Sequence, residues 1–343
     1  MFSGQSKILR IISATALSVF LVVLLFTTGF FVWTKNLMES AQSSNSEVVE
    51  EIDVALEPFP VGVNTLSKSI NEDPLVDWYV TTYLSIDVDS SRKGRIIDKL
   101  LSQIAKWDWY QSMASAVSRI LVIYPGERSE EVVKNFGDIL KWTEEERELF
   151  KDYIVVAEPY LEEGKFFPGR YVVESGASPE VVADMLYAEF NQSVLSRYDT
   201  EVEKQVPLEQ ALIIASLLER EAYDFTDMRY ISGIIWNRLF INMPLQLDAS
   251  LQYAKGSRAS EVKWWPKVIP DDKYIDSPFN TYQNDGLPPG PIANPSVEAI
   301  VAALNPRQTD CMFYFHDQKG KFYCNVDYAG HVAELREVYG QGR

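Results

Sequence analysis

Glu219 is the residue whose type and setting most invite chemistry. It lies in VPLEQALIIASLLEREA, residues 206–222, which reads as one helix with Pro207 near the first turn, where a missing N–H is tolerated. Leu208, Ala211, Leu212, Ala215, Leu218 and Ala222 recur on one side at the 3.6-residue period. Glu219 projects into the middle of that side, whereas Arg220 and Glu221 point elsewhere. A carboxyl group placed there loses hydration, which raises its pKa unless a cation or hydrogen bonds offset the loss. That is the property a general acid needs. A structural Glu beside an Arg, or one capping a loop, fits the same pattern.

Further polar groups cluster downstream. In MPLQLDASLQYA, Leu245 and Leu247 alternate with Gln246 and Asp248, as on an extended segment lining a cleft. Asp248 could also simply cap a short helix over 249–254. The stretch SPFNTYQNDGLPPGPIANPS carries Asn280, Thr281, Tyr282 and Asn284 ahead of a run rich in Gly and Pro. Such a run holds a loop's path at low entropic cost and suits either a ligand-facing wall or a stiff connector. Asn294 is then read as capping, and Pro295 as starting, a helix to Leu304. CMFYFHDQKGKFYC reads as a β-hairpin turning between Asp317 and Gln318. That register sets Cys311 opposite Cys324 and Phe313 opposite Phe322, at the separation a disulfide needs. His331 precedes a last helix and is open to a catalytic or a packing role.

The elements upstream supply the frame. Ile120 to Tyr124 is a strand closed by Pro125-Gly126, followed by a helix that Ser129 caps and another that Thr143 caps, with Glu146 completing a capping box. YVVESG is a second strand, and Ser178-Pro179 opens the next helix. The two strand–turn–helix stretches would make one small sheet or two units of a weak repeat. Asp227 is expected to cap the helix that follows the Glu219 helix.

From Ile11 to Trp33 the chain carries no formal charge, which reads as a membrane-spanning helix. A cleaved signal peptide is the rival reading, against which stand the length of the stretch and its bulky end. Lys7 and Arg10 before it place the N-terminus in the cytoplasm and the rest of the chain outside, where a disulfide persists. The net charge of -17 argues against nucleic acid as a partner. Two histidines and two cysteines leave little for a transition-metal site, and no cofactor is implied.

Four blocks, IIASLLERE, NRLFINMPLQLDASLQYA, SPFNTYQNDGLPPGPIANPS and MFYFHDQKGKFYCNVDYAGH, together resemble the endolytic murein transglycosylase family. LEEGKFFPGRYVVESGASPE is similar to a segment of that family's LysM-like subdomain, with Gly169 and Arg170 where an acidic residue and a threonine are usual. The resemblance implies a bacterial inner-membrane protein, single-pass, that cuts nascent peptidoglycan strands internally and leaves 1,6-anhydro ends. It makes Glu219 the catalytic acid and Gln246, Asp248, Ser250, Asn280, Thr281, Tyr282 and His331 substrate-positioning residues. Its partners would be glycan strands and, beyond them, peptidoglycan synthases or division proteins.

The expected architecture is α+β: a cytoplasmic tail (1–10), a transmembrane helix (11–33), a linker (34–52) and a membrane-proximal module (53–118). A small LysM-like α/β subdomain (119–200) and a catalytic domain of helices and a hairpin (201–343) follow. Two other readings stay open. A hydrolase would use water and a second carboxylate, Asp248 or Asp285, and a non-catalytic scaffold would only bind glycan.

Overall fold

The structure, a computed structural model, describes residues 58–73, 76–83, 118–157, 163–257 and 263–340. These residues build two hydrophobic cores. The smaller core belongs to a unit formed by β1 (Ser118–Ile123), α1 (Ser129–Leu140), α2 (Glu144–Ala157), β2 (Gly169–Glu174) and α3 (Pro179–Ser193). β1 and β2 pair antiparallel from Ser118 opposite Glu174 to Ile123 opposite Gly169, so the two strand–turn–helix stretches share one sheet. Leu121 and Ile123 on β1 and Tyr171 and Val173 on β2 alternate into the core, as the period of two requires. Val132, Val133, Phe136 and Leu140 of α1 and Val182, Ala183, Leu186 and Phe190 of α3 are buried at helical spacing. Thr143 and Glu146 form the reciprocal capping box at the start of α2.

The larger core gathers around α4 (Leu208–Glu221), packed by α5 (Phe225–Phe240) and α6 (Val297–Leu304). Residues 211–218 of α4 are buried without a break, because the helix is enclosed on all sides rather than along one stripe. α7 (Asp248–Gly256), the hairpin of β3 (Phe313–His316) and β4 (Phe322–Asn325), and α8 (Tyr328–Tyr339) complete this part. Asp224 rather than Asp227 caps α5, accepting from the Asp227 N–H at 2.9 Å. Residues 58–73 and 76–83 join this same core through Phe59, Val63, Ile70, Val76, Tyr79 and Val80. Asp77 binds Arg229 at 2.8 Å and Arg307 at 3.1 Å.

The expectation of a membrane-anchored chain is corrected. No helix among the described residues is long and apolar enough to cross a membrane. The longest, α5, has 16 residues and buries Asp227, Arg229 and Arg238; it rises roughly 24 Å, short of the ~30 Å hydrocarbon layer. The helix expected at 11–33 lies outside the described residues. What the structure supports is an α+β mixed fold with small sheets. The transmembrane helix, the single-pass orientation and the inner-membrane location have no support in it.

Candidate active site

Glu219 sits in the last turn of α4, partly buried. Its Oε1 accepts two hydrogen bonds from Ser296, one from the backbone N–H at 2.9 Å and a short one from the hydroxyl. Ser296 is also the N-cap of α6, its Oγ accepting from the Ala299 N–H at 3.2 Å. One hydroxyl thus caps a helix and orients a carboxyl. Asn294, expected as that cap, is instead wholly buried and accepts from the Gly164 and Phe166 N–H groups at 2.9 and 3.0 Å. Both Asn294 and Ser296 are capping types beside Pro295, and only the backbone geometry decides between them. The Arg220 guanidinium stacks on Trp265 at 3.8 Å, and burial holds its pKa below the ordinary arginine value.

The downstream blocks come together as one braced turn. Gln246 and Asp248 are exposed, whereas Leu245 and Leu247 are buried. The expected alternation of exposure is present, but Gln246 has a left-handed backbone, φ 51°, so a turn rather than an extended segment produces it. The Gln246 N–H donates to the Thr281 carbonyl at 3.0 Å, and Leu247 N–H to the Thr281 hydroxyl at 3.0 Å. The Ser250 and Thr281 hydroxyls share a hydrogen bond of 2.8 Å. Asn280 donates to the Lys273 and Ile275 carbonyls at 3.1 and 2.7 Å. Ser250, Asn280 and Thr281 are buried, so their side chains hold the loop in shape. The Tyr282 hydroxyl donates to Asp248 at 2.7 Å, and burial together with Asp248 pushes its pKa upward. Asp248 opens α7 without capping it.

Glu221 takes the capping place, and sequence reasoning passed over it. Its carboxyl accepts from the Ala249 N–H at 3.1 Å and from the Tyr314 hydroxyl at 2.9 Å. Burial raises its pKa, the two donors pull it back, Asp248 raises it and His316 lowers it. His316 meets Asp227 at 2.9 Å and packs edge-on against Tyr223. Glu221, which links α4 to the turn, is therefore two positions from Glu219 on the same helix. A clue was present: the Glu-Arg-Glu triplet follows directly on a run, 211–218, that is apolar but for Ser216.

Strand alternation splits the hairpin into two faces. Tyr314 and His316 meet α4 and α5, whereas Phe313 and Phe315 pack against His331 on α8 at 5.6 and 5.7 Å. His331 thus lies across the strand from Glu221. Burial keeps its pKa below the ordinary histidine value, with Arg238 acting the same way. Cys311 and Cys324 form a disulfide, with an S–S length of 2.04 Å and Cα atoms 5.7 Å apart. Its register differs from the expected one: Tyr314 faces Cys324 and Phe313 faces Asn325. Asp317 accepts from the N–H groups of Lys319 and Lys321, which moves the turn toward Lys319.

A model of the YceG-like family matches residues 70–337. The chain belongs to that family. Among relatives of this YceG-like chain is the endolytic murein transglycosylase of Streptococcus pneumoniae (serotype 2, strain D39), 34% identical over 179 residues. That match takes in 52% of this chain and 32% of the relative. The endolytic murein transglycosylase of Bacillus subtilis (strain 168) is 36% identical over 161 residues, or 46% of this chain and 43% of the relative. The matched stretch therefore spans less than half the length of these curated relatives. The crystal structure of a YceG-like protein from Listeria monocytogenes is similar at a TM-score of 0.55 and 25% identity, covering 63% of this chain and 75% of that one.

Proposed function

We propose that this chain is an endolytic lytic transglycosylase of peptidoglycan. It would cut the β-1,4 bond between N-acetylmuramic acid and N-acetylglucosamine inside glycan strands, leave 1,6-anhydro ends and so end strand elongation. The observation that carries the reading is the mounting of Glu219, whose Oε1 is held by both donors of Ser296. An oxygen occupied as an acceptor leaves the proton of the neutral acid to Oε2. That proton passes to the leaving glycosidic oxygen as the bond to the anomeric carbon breaks. The carboxylate then takes the proton of the muramyl C6 hydroxyl as that oxygen bonds to the same carbon. The nucleophile is internal to the sugar, so proximity does the work a second carboxylate does in a hydrolase.

Gln246 and Asp248, exposed on the braced turn, are the groups for sugar amides and for charge on the ring. Tyr282 orients Asp248, and Ser250, Asn280 and Thr281 support the turn from beneath. In this reading the β1–α3 unit, with its β–α–α–β order, is the LysM-like part that grips the strand, and synthases or division proteins are partners by family resemblance.

The test is mass spectrometry of products from uncrosslinked glycan strands, comparing the parent with Glu219→Gln. The parent should release 1,6-anhydro ends, and the variant should lose them by roughly a hundredfold or more while still binding glycan. Anhydro ends released by the variant at the parent rate would refute the assignment. Reducing ends from the parent would instead identify a water-using hydrolase.

A further inference from the structure

The loop between β1 and α1, residues 124–128, belongs to the smaller unit but runs against the Glu219 helix. Gly126 has a left-handed backbone, φ +81°, and a Cβ added there would lie 3.6 Å from the Glu219 Cβ and 3.4 Å from Arg220. Asn294 fastens this loop. The Gly126 N–H donates to the Asn294 carbonyl at 2.9 Å, and the Asn294 N–H donates to the Glu127 carbonyl at 2.9 Å. Its side-chain Nδ2 donates to that same carbonyl at 2.9 Å. Its Oδ1 accepts from the Gly164 and Phe166 N–H groups, which lie just before β2. Asn294 therefore grips the smaller unit in two places, both at the end of the sheet where Ile123 pairs with Gly169. Two residues later Ser296 holds the Glu219 carboxyl, with rigid Pro295 between them.

We propose that Asn294 is a positioning residue for Glu219, and that through it the smaller unit sets the aim of the acid. The proposal rests on the transglycosylase reading. The smaller unit is then more than a grip on the strand: its 124–128 loop and the Ser296 turn move as one piece. No other side chain suits the place as well. Aspartate keeps the acceptor for Gly164 and Phe166 but loses the donor to Glu127, and alanine loses all three side-chain bonds.

The test uses the full chain with Asn294→Ala, Asn294→Asp, Ser296→Ala and the Asn294→Ala/Ser296→Ala double variant. Turnover of uncrosslinked strands is followed across pH, beside thermal melts. The expected result for Asn294→Ala is a kcat lower by roughly tenfold to a hundredfold, as a small misplacement of a reacting group costs, with KM within about twofold. Asn294→Asp should fall between it and the parent. The alkaline limb should move to higher pH in Asn294→Ala as in Ser296→Ala, because the Ser296 donors favour the carboxylate. Arg220 and Glu221 on α4, and Glu131 of α1 facing Arg220, are unchanged in every variant. The double variant should cost no more than the worse single one.

A kcat that falls only in step with the melting temperature, with an unmoved limb, would overturn the proposal, and so would additive effects in the double variant. If Asn294→Ala does not fold, the same readings are taken on Asn294→Asp. Inactive Glu219→Gln with an unshifted Asn294 profile sinks this inference alone, whereas active Glu219→Gln sinks the transglycosylase reading beneath it.

Discussion

Glu219 and Glu221 are both carboxyls of one helix end, yet their surroundings assign them different work. Ser296 donates twice to the Glu219 Oε1, and Glu221 is tied by the Ala249 N–H and the Tyr314 hydroxyl. Burial raises the Glu221 pKa above the ordinary glutamate value. The native state then keeps a proton that the unfolded chain releases, so this contribution to stability is full at low pH and is lost as pH rises through the raised pKa. Glu221→Gln keeps an acceptor for the Ala249 N–H, turns its amide NH2 toward the Tyr314 oxygen, and should flatten that part of the pH dependence in urea unfolding. Glu221→Leu leaves both donors without a partner and should cost about 1–3 kcal/mol for each one stranded. Equal stability of the Gln and Leu variants would show that the carboxyl braces nothing. Glu221 was hard to read from sequence because the wheel of its own helix points it away from the apolar side. Its partners come from α7 and β3, elements that no local pattern brings near.

At the level of elements, the hairpin carries Tyr314 to α4 and His316 to α5, and its open end is closed by the Cys311–Cys324 bond. Closing a loop of sequence separation 13 removes freedom from the unfolded chain worth about 3 kcal/mol. Reduction, or Cys311→Ser with Cys324→Ser, should lower the melting temperature and loosen the Tyr314–Glu221 contact. An unchanged melt on adding reductant, with free thiols confirmed by intact mass, would contradict this. The cysteine pair was legible in the spacing of CMFYFHDQKGKFYC, but the register was not. The turn is set by Asp317 collecting the N–H groups of Lys319 and Lys321, a local choice among several that the sequence permits. The capping box at Thr143 and Glu146 was legible because both partners lie within one turn.

Across the whole molecule, the two cores meet near Glu163, Asn294 and the 124–128 loop. Glu163 accepts from the Ser129 N–H at the start of α1, and burial, reinforced by Glu130, pushes its pKa up to about 8. Ser129 and Arg128 oppose that shift. Between the ordinary value of 4.5 and about 8 the folded protein holds a proton that the unfolded chain does not, so stability falls as pH rises through that window. Each unit of difference corresponds to about 1.4 kcal/mol. Glu163→Gln should therefore be less sensitive than the parent to a change from pH 5 to pH 8 in urea unfolding. Parallel curves for the two proteins would rule this out.

Sequence alone determined the helix around Glu219, the exposure of Gln246 and Asp248, the strands of the smaller unit with its Thr143–Glu146 capping box, and the pattern that resembles the family. These are local properties: periodicity reports which side chains leave one segment in the same direction, and caps report short-range hydrogen bonding. The cap expected at Ser129 is not made, because Ser129 is already the first helical residue and Glu163 accepts from its N–H. Only the tertiary structure decided that Ser296, 77 residues away, orients Glu219, that Tyr314, 93 residues away, ties Glu221, and that Asn294 joins the two cores. It also brought Phe59, Val63, Ile70, Val76, Tyr79 and Val80 into the larger core, and among the described residues no helix is long and apolar enough to cross a membrane. A side chain's direction is set within its own turn of chain, whereas its partner is set by how distant surfaces exclude water together.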